Sequence, residues 1–462
     1  MLNFSSHTRF GRRNFLQAGS LALGGLALPQ FLARGVSGAG EIRPITDKAV
    51  VFLFLHGGPS QTETFDPKMT APAGVSSATG EVSTKLPGIT FGGTFPKLAA
   101  MADRLTIVRS FTTMDGNHDI KPIVGRDTGN ANLGSLYSRV AGQNRPISGL
   151  PTNVALFPRA VDPSTQAETS QFGKFNSSGT LGTGYAPFVP GAGGDLQQNM
   201  ELTLPMDRLD DRRLVLSSLD RMRRKVDNAG IMEGIDDLRQ QAFDTLCGGA
   251  ADAFQLSQEE ESVIANYDTA PLMRPDMIDK KWKNYNNYVD NAKSLGKLML
   301  LARRLVERGC GFVTVTTNFV WDMHSDVNNA GVEEGMRYMG HPLDHAVSAF
   351  LEDLAQRGLS DKVLLVCCGE MGRTPRINAK GGRDHWGNLA PLLLAGGGLP
   401  EGQVIGQSTR DGGEPQTEPI RPENLVSTVL GTLFDVSQLR LTRGLPPEIL
   451  RATSPAPITS FA

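Results

Sequence analysis

This chain of 462 residues has little cysteine and no surplus of charge. Its four cysteines are Cys247, Cys310, Cys367 and Cys368, and their spacing matches no zinc-binding pattern. Cys367 and Cys368 are neighbours in an apolar run, so they point to opposite faces of a strand, and we expect buried thiols and no essential disulfide. Basic residues number 46 and acidic residues 48, and this balance argues against nucleic-acid binding.

Beyond residue 40 the sequence has no apolar run long enough to span a bilayer and no internal repeat. The N-terminus carries Arg12-Arg13 before a mildly apolar run from Ala18 to Leu28, a pattern typical of a twin-arginine export signal. A small-x-small site ends at Ala39. We therefore predict a signal peptide over residues 1–39, recognition by the twin-arginine translocase, and a periplasmic or extracellular location. An uncleaved signal would leave a membrane anchor.

Strand-like and helical patterns alternate along residues 40–462. The strand patterns cover residues 49–55, 105–111, 151–157, 311–317, 361–368, 389–395 and 403–405, and the helical ones include 95–103, 119–141, 341–356 and 422–434. This alternation predicts an α/β fold with a mostly parallel sheet and helices on both faces. Residues 160–285 interrupt it with a long polar loop and charged amphipathic helices, which we interpret as an inserted loop-plus-helix cap.

Two loops at predicted strand ends carry the residue types that bind metals. Asp322 and His324 follow the strand at 311–317, and in extended chain an i, i+2 pair shares one face. Glu370 follows the strand at 361–368, and the same loop continues to His385. Because ligands of open α/β sheets bind at the carboxyl ends of the strands, we expect these four side chains in one cluster. Two imidazoles and two carboxylates suit one or two ions of zinc, manganese or iron.

Further polar residues belong to the same predicted edge. His118 opens the predicted helix at 119–141, where an anion is favoured, so it is a candidate for activating an oxyanion or a nucleophile. Asn117 serving simply as a helix cap is an alternative. Arg373 and its neighbouring cations in the loop after residue 368 indicate an anionic substrate, although a solvated loop with a salt bridge is the plainer reading. His345 lies on a helical pattern, and we expect it to pack rather than bind metal.

Four sequence blocks resemble an exported family known as domain of unknown function 1501. They are F-L-H-G-G-P-S-Q-T-E-T-F-D-P at 54–67, W-D-M-H at 321–324, P-L-D-H-A at 342–346, and G-E-M-G-R-T-P with G-R-D-H-W within 369–386. That family is similar in fold to the alkaline phosphatase and sulfatase superfamily. The resemblance implies an alkaline-phosphatase-like sandwich with a metal site at the carboxyl edge of its sheet, where Asp322, His324, Glu370 and His385 match metal ligands.

The same resemblance shows two departures. His56 stands where a metal-binding aspartate is expected, which makes Glu63 or Asp66 a candidate substitute ligand, and the loop that ends in His118 has no Ser, Thr or Cys nucleophile. We predict an exported metal-dependent hydrolase of phosphate or sulfate esters, either small molecules or polysaccharides. Arg373 and His118 would be catalytic, and Arg126 and His56 would bind substrate. The alternative is a non-catalytic periplasmic or surface binding protein on a degenerate hydrolase fold, which the missing nucleophile favours.

Overall fold

The computed structural model describes residues 44–191 and 250–461. Its strands, in chain order, are β1 (Ala49–Phe54), β2 (Glu81–Ser83), β3 (Thr90–Gly92), β4 (Thr106–Val108), β5 (Asn153–Leu156), β6 (Phe312–Thr316), β7 (Val363–Cys368), β8 (Gly372–Arg373), β9 (His385–Trp386), β10 (Leu392–Gly396) and β11 (Gln403–Ile405). The helices are α1 (Pro96–Ala100), α2 (Leu133–Ala141), α3 (Glu261–Tyr267), α4 (Tyr285–Glu307), α5 (Val332–Gln356), α6 (Pro422–Leu433), α7 (Val436–Leu441) and α8 (Pro447–Ala452). The predicted strand positions are confirmed, with ends that differ by a few residues.

The central sheet has seven strands in the order β11-β4-β10-β7-β1-β6-β5. β1 pairs in parallel with both β6 and β7, and β10 runs antiparallel to β4 and β7. β5 and β11 are parallel to their neighbours, so six strands share one direction. Their carboxyl ends form one edge of the sheet, and the chain enters β10 at that same edge.

Helices cover both faces of this sheet because its strands are apolar on both sides. Every residue of β1 is buried. Val51 and Leu53 belong to one core cluster with residues of α4 and α5, whereas Phe52 and Phe54 belong to a second cluster with residues of α2 and α6. Burial on both faces is the signature of a parallel α/β sheet, and it confirms the predicted fold class.

The predicted helix at 119–141 is wrong over its first half. Turns and a short 3₁₀ segment at Arg126–Thr128 occupy this stretch, and α2 begins only at Leu133. The Asn132 side chain caps α2 by accepting a hydrogen bond from the Gly134 amide at 2.8 Å. Pro122 and the left-handed Gly129 (φ 64°) are unsuited to a continuous helix, so His118 lies in a loop and not at a helix N-terminus.

Part of the predicted insertion is described. Residues 250–267 pack on α4 and α5, where Glu259 pairs with Arg303 and the Tyr267 hydroxyl donates to Asp353 at 3.0 Å. The predicted signal at 1–39 and residues 192–249 of the predicted insertion lie outside the described residues. Within the described ranges, no helix combines the length and the apolar character that a membrane crossing requires.

Candidate metal centre

Loops at the carboxyl edge of the sheet bring four potential metal ligands together. Asp322 and His324 follow β6, and His118 lies in the loop after β4. His385 is in β9, which pairs with β8 as a small antiparallel ribbon before the chain enters β10. The backbone carbonyl of Gly387 accepts hydrogen bonds from the amides of residues 113 and 114, which ties the His118 loop to the His385 loop.

The four side chains converge on a common point. One ligand atom from each of them lies within 4.8 Å of all the others. Asp322 Oδ1 is 2.8 Å from His324 Nε2, 3.3 Å from His385 Nε2 and 3.5 Å from His118 Nε2. The Nε2 atoms of His324 and His385 are 2.7 Å apart. Donors at these separations can surround one ion with bonds of roughly 2.0–2.2 Å, so this set fits a divalent transition metal.

Carboxylates on the far side of two imidazoles orient them toward this point. His118 Nδ1 is 3.1 Å from Glu370 Oε1, and His324 Nδ1 is 3.1 Å from Asp384 Oδ1. A proton on each Nδ1 donates to the carboxylate, which leaves the Nε2 lone pair for an ion. Metal-binding histidines are usually held in this way, so the outer carboxylates are a second sign of a metal site.

Glu370 therefore has a different place from the metal ligand that the sequence predicted. Its side chain is fully buried, and both of its oxygens accept from the Gly57 amide, at 3.0 and 3.2 Å. Gly57 has φ 115°, and a Cβ there would lie 2.7 Å from the amide nitrogens of Trp321 and Asp322. Only glycine allows β1, the Asp322 segment and Glu370 to approach so closely. Glu370 orients His118 and lies outside the four-residue cluster.

Electrostatics keep Asp322 ionised. Burial would raise the pKa of Asp322, but hydrogen bonds with His118, His324 and His385 and the charge of Arg373 outweigh burial and hold the pKa well below its usual range. Burial lowers the pKa of His118, yet its contacts with Asp322 and Glu370 reverse that effect and raise it overall. The ionised Asp322 oxygen, surrounded by three imidazoles, is therefore suited to binding a cation.

This chain belongs to the DUF1501 family. The model of that family, described as a protein of unknown function, matches residues 47–444 and confirms the resemblance seen in the sequence. A search of curated proteins found no match.

Solved structures similar to this DUF1501 chain include three bacterial enzymes. One is the PsFucS1 sulfatase from Pseudoalteromonas sp., with 11% identity, TM-score 0.33, and coverage of 80% of this chain and 68% of the other. Another is the phosphonate monoester hydrolase SpPMH from Silicibacter pomeroyi, with 11% identity, TM-score 0.32, and coverage of 90% and 77%. The third is the lipoteichoic acid synthase LtaP from Listeria monocytogenes, with 8% identity, TM-score 0.32, and coverage of 78% and 68%.

Arg373 holds the site together with all of its N–H groups. The guanidinium is 1% exposed and donates to Asp322 at 2.6 Å, to the Gly58 carbonyl at 2.7 Å and to the Gly57 carbonyl. Its remaining Nη1 hydrogens face the Arg383 carbonyl and His324 Nε2, both at 3.3 Å. The predicted role of neutralising a transferred group needs free donors, whereas this geometry makes Arg373 a support for Asp322.

Two predicted site residues of this DUF1501 chain lie elsewhere. Glu63 is fully buried and accepts from the equally buried Arg383 at 2.7 Å and from the Ser77 hydroxyl at 2.8 Å, so its charge is already neutralised. The pair anchors the loop that continues to His385. Arg126 is 89% exposed and faces Glu423 at 4.0 Å, in a surface hollow away from the cluster. Sequence alone gives no sign of the pairs with Arg383 and Glu423, because these partners are hundreds of residues away in the chain.

His56 is enclosed by aromatic rings, which leave little of it open to a substrate. It is 2% exposed, and the rings of Phe172, Phe175 and Phe319 lie 5.1–5.7 Å from it in edge-on geometry. Burial and the neighbouring His118 lower the pKa of His56, despite the nearby carboxylates. Phe172 and Phe319 also contact His118, at 5.0 and 4.6 Å, so they form one wall of the centre. No motif in the sequence indicates this wall.

A polar cleft opens beside the metal centre. It has a volume of about 470 Å³ and is lined by His324, Asp326, Asn378, Ala379, Lys380 and Asp384. A second hollow of about 560 Å³, which includes Trp282 and His341, shares Lys380 with it. Asp384, which contacts His324 Nδ1, has no role in the sequence prediction, although it directly precedes His385 in the G-R-D-H-W block. The cleft opens on the His324 side of the cluster.

Proposed function

We propose that this chain is a metal-dependent hydrolase of phosphate or sulfate esters. The observation that carries this proposal is the set of four ligand atoms within 4.8 Å of one another, with carboxylates behind two of the imidazoles. A purely structural salt bridge would not need three imidazoles aimed at one carboxylate oxygen. The adjoining cleft provides room for the ester beside the ion.

The residues of the centre would have distinct roles in ester hydrolysis. A divalent ion bound here would supply positive charge that polarises an ester oxygen and makes water a stronger acid. Asp322 and the three histidines would hold it, while Glu370, Asp384 and Arg373 keep those ligands in place. Among the described residues, no Ser, Thr or Cys side chain makes a hydrogen bond to the four ligand groups. We therefore assign the attack on the ester to water and not to a protein nucleophile.

Metal analysis combined with thermal melts tests the proposal. We expect the purified protein to hold a transition metal, and we expect a chelator to lower both its melting temperature and its hydrolysis of 4-nitrophenyl esters. His385→Ala should lose most of this chelator sensitivity because it removes one of four ligands. An equal chelator shift in wild type and His385→Ala would remove His385 from the ligand set.

His345→Ala is the matched control. His345 lies on α5, where its Nδ1 contacts Lys97 Nζ at 2.6 Å, and it is not part of the cluster. Its replacement should change stability without changing the response to chelator. If His345→Ala abolished that response as His385→Ala does, the effect would reflect loss of folded structure and not loss of a ligand.

A non-catalytic binding protein remains the second candidate function. Two observations favour it: Arg373 is engaged by the protein itself, and the centre has no hydroxyl or thiol nucleophile among the described residues. A protein that binds metal and an anionic ester or polysaccharide but turns over no ester would support this function. Turnover that disappears with chelator and returns with metal would exclude it.

We also propose export in the folded state by the twin-arginine translocase. The basis is Arg12-Arg13 and the following apolar run. The double variant Arg12→Lys, Arg13→Lys should accumulate in the cytoplasm, as measured by cell fractionation. The matched control is Arg9→Lys, which alters a nearby basic residue outside the pair and should leave export unchanged. Normal export of the double variant would show that the pair is not the signal.

A further inference from the structure

We propose that the site selects esters whose reacting group carries one negative charge, such as a sulfate monoester or a phosphodiester, over doubly charged phosphate monoesters. This inference rests on the proposed function and adds the charge of the substrate. It follows from the number of ions that the centre can hold and from the charged side chains around it.

The geometry supports a single ion. Among residues 44–191 and 250–461, one group of three or more potential ligands meets the distances that an ion needs, and it is the cluster around Asp322. The other acids of this edge are already engaged. Glu370 accepts from the Gly57 amide and faces His118, and Glu63 is neutralised by Arg383. His56 is sealed among phenylalanine rings.

The charges around that ion are balanced without excess. Four carboxylates belong to the cluster, its outer contacts and the cleft, namely Asp322, Glu370, Asp384 and Asp326. Two cationic side chains, Arg373 and Lys380, oppose them. One divalent ion therefore brings the net charge of these side chains to zero. Two divalent ions would give the site a net charge of two positive units, which would favour a dianion.

The surroundings make the site less favourable still for a dianion. Lys121 is held between Asp115 at 3.0 Å and Asp119 at 2.8 Å, and this group next to His118 carries one net negative charge. Arg373 has four of its N–H groups on protein oxygens, and the fifth faces His324 Nε2, which an ion would occupy. A single released N–H makes no fork for a second anionic oxygen. A second substrate charge therefore enters a neutral to negative site without compensation, and Coulomb repulsion opposes it.

A pair of unreactive analogues isolates the charge. Phenylphosphonate carries two negative charges above its second pKa, and its monomethyl ester carries one. Calorimetric titration of the zinc-loaded protein with each should show tighter binding of the monomethyl ester. Asp326→Asn removes one negative charge from the cleft but keeps an oxygen to accept from the amides of Asn328 and Asn329, as Asp326 does at 2.8 and 2.7 Å. We expect this variant to raise the affinity for the dianion, relative to that for the monoanion, by roughly twofold. This is the effect of one charge several ångströms away in water.

The matched control is Asp435→Asn. Asp435 also caps a turn, accepting from the amides of Ser437 and Gln438 at 3.0 and 3.1 Å, but it lies beside Pro44 at the opposite edge of the sheet. It should not change the ratio of the two affinities. Equal or tighter binding of the dianion to wild type would overturn the proposal, as would no binding of either analogue or the same change of ratio in both variants.

Turnover assays separate this inference from the hydrolase proposal. Hydrolysis of 4-nitrophenyl sulfate would point to sulfate esters, and hydrolysis of bis(4-nitrophenyl) phosphate would point to phosphodiesters. Faster hydrolysis of 4-nitrophenyl phosphate than of both would overturn the charge selectivity while supporting the hydrolase. Preferential binding of the monomethyl ester without turnover of any ester would support the charge selectivity and overturn the hydrolase.

Discussion

Glu370→Gln tests whether the metal centre depends on a residue that does not touch the ion. The substitution preserves the size of a fully buried side chain and removes its charge. The carboxylate now accepts from the Gly57 amide at 3.0 and 3.2 Å and faces His118 Nδ1 at 3.1 Å. Oε1 alone contacts both the Gly57 amide and His118 Nδ1, so a glutamine carbonyl at that position keeps both hydrogen bonds, whereas its NH₂ group cannot replace Oε2 as the second acceptor from Gly57. His118 therefore faces a neutral acceptor instead of a carboxylate, and its Nε2 becomes a weaker donor to the ion.

The expected loss is one to two orders of magnitude in metal affinity. Replacing an orienting carboxylate behind a metal-binding histidine usually costs 10–100-fold, or about 1.4–2.7 kcal/mol. At a metal concentration one hundred times the wild-type Kd, binding stabilises the fold by about 2.7 kcal/mol. A tenfold weaker site would leave about 1.4 kcal/mol, and a hundredfold weaker one only about 0.4 kcal/mol. The metal-induced rise in Tm should shrink accordingly.

The assay is a thermal melt of the metal-free protein with increasing metal, alongside direct titration calorimetry. Asp353→Asn is the control for general destabilisation. Asp353 is also buried, but it accepts from Tyr267 and pairs with Arg303, far from the metal centre. This control should lower the Tm of the metal-free protein and leave the metal-induced rise unchanged. Wild-type metal affinity in a folded Glu370→Gln protein would refute the role given to Glu370.

Three further predictions concern residues outside the metal centre. Burial and the Lys97 ammonium lower the pKa of His345, so the folded state favours the neutral imidazole. We expect His345 to contribute to the free energy of unfolding above pH 6.5 and to lose this contribution as the pH falls through its folded-state pKa. Urea melts of wild type and His345→Ala between pH 5 and 8 measure this difference. Arg303→Ala should cost about 3–5 kcal/mol in denaturant melts, because a fully buried cation paired with Glu259 is removed and its acidic partners stay behind. Arg126→Ala should leave ester hydrolysis unchanged in initial-rate assays, since that side chain is 89% exposed and away from the cluster.

The sequence predicts the positions of the site residues that directly follow strands of the central sheet. Buried parallel strands leave an unmistakable apolar pattern, and residues just after them must meet at one edge. Asp322, His324 and His385 come together for this reason, although His385 enters with the antiparallel β10. The same edge explains why the sequence predicts Glu370 as a ligand. Glu370 does lie at this edge, but it contacts His118 and is not part of the four-residue cluster.

The rest depended on contacts that no local pattern reveals. A buried carboxylate such as Glu63 can serve a metal or an arginine, and its pairing with Arg383 is decided 320 residues away. The sequence pattern places His118 at the start of a helix, where the helix dipole favours a catalytic role. Pro122 and the following glycines interrupt that helix. The loop conformation instead turns its Nε2 toward Asp322.

The protein contacts of the four ligand side chains bear on how the protein would acquire metal. Arg373 secures Asp322, Glu370 secures His118, Asp384 secures His324, and the Glu63–Arg383 pair secures the loop that carries His385. Each ligand thus has protein partners of its own, and the sheet beneath has an extensive apolar core on both faces. Small zinc domains unfold without metal because they lack such support. We therefore expect metal removal to lower the melting temperature without unfolding the chain, so that folding can precede metal binding.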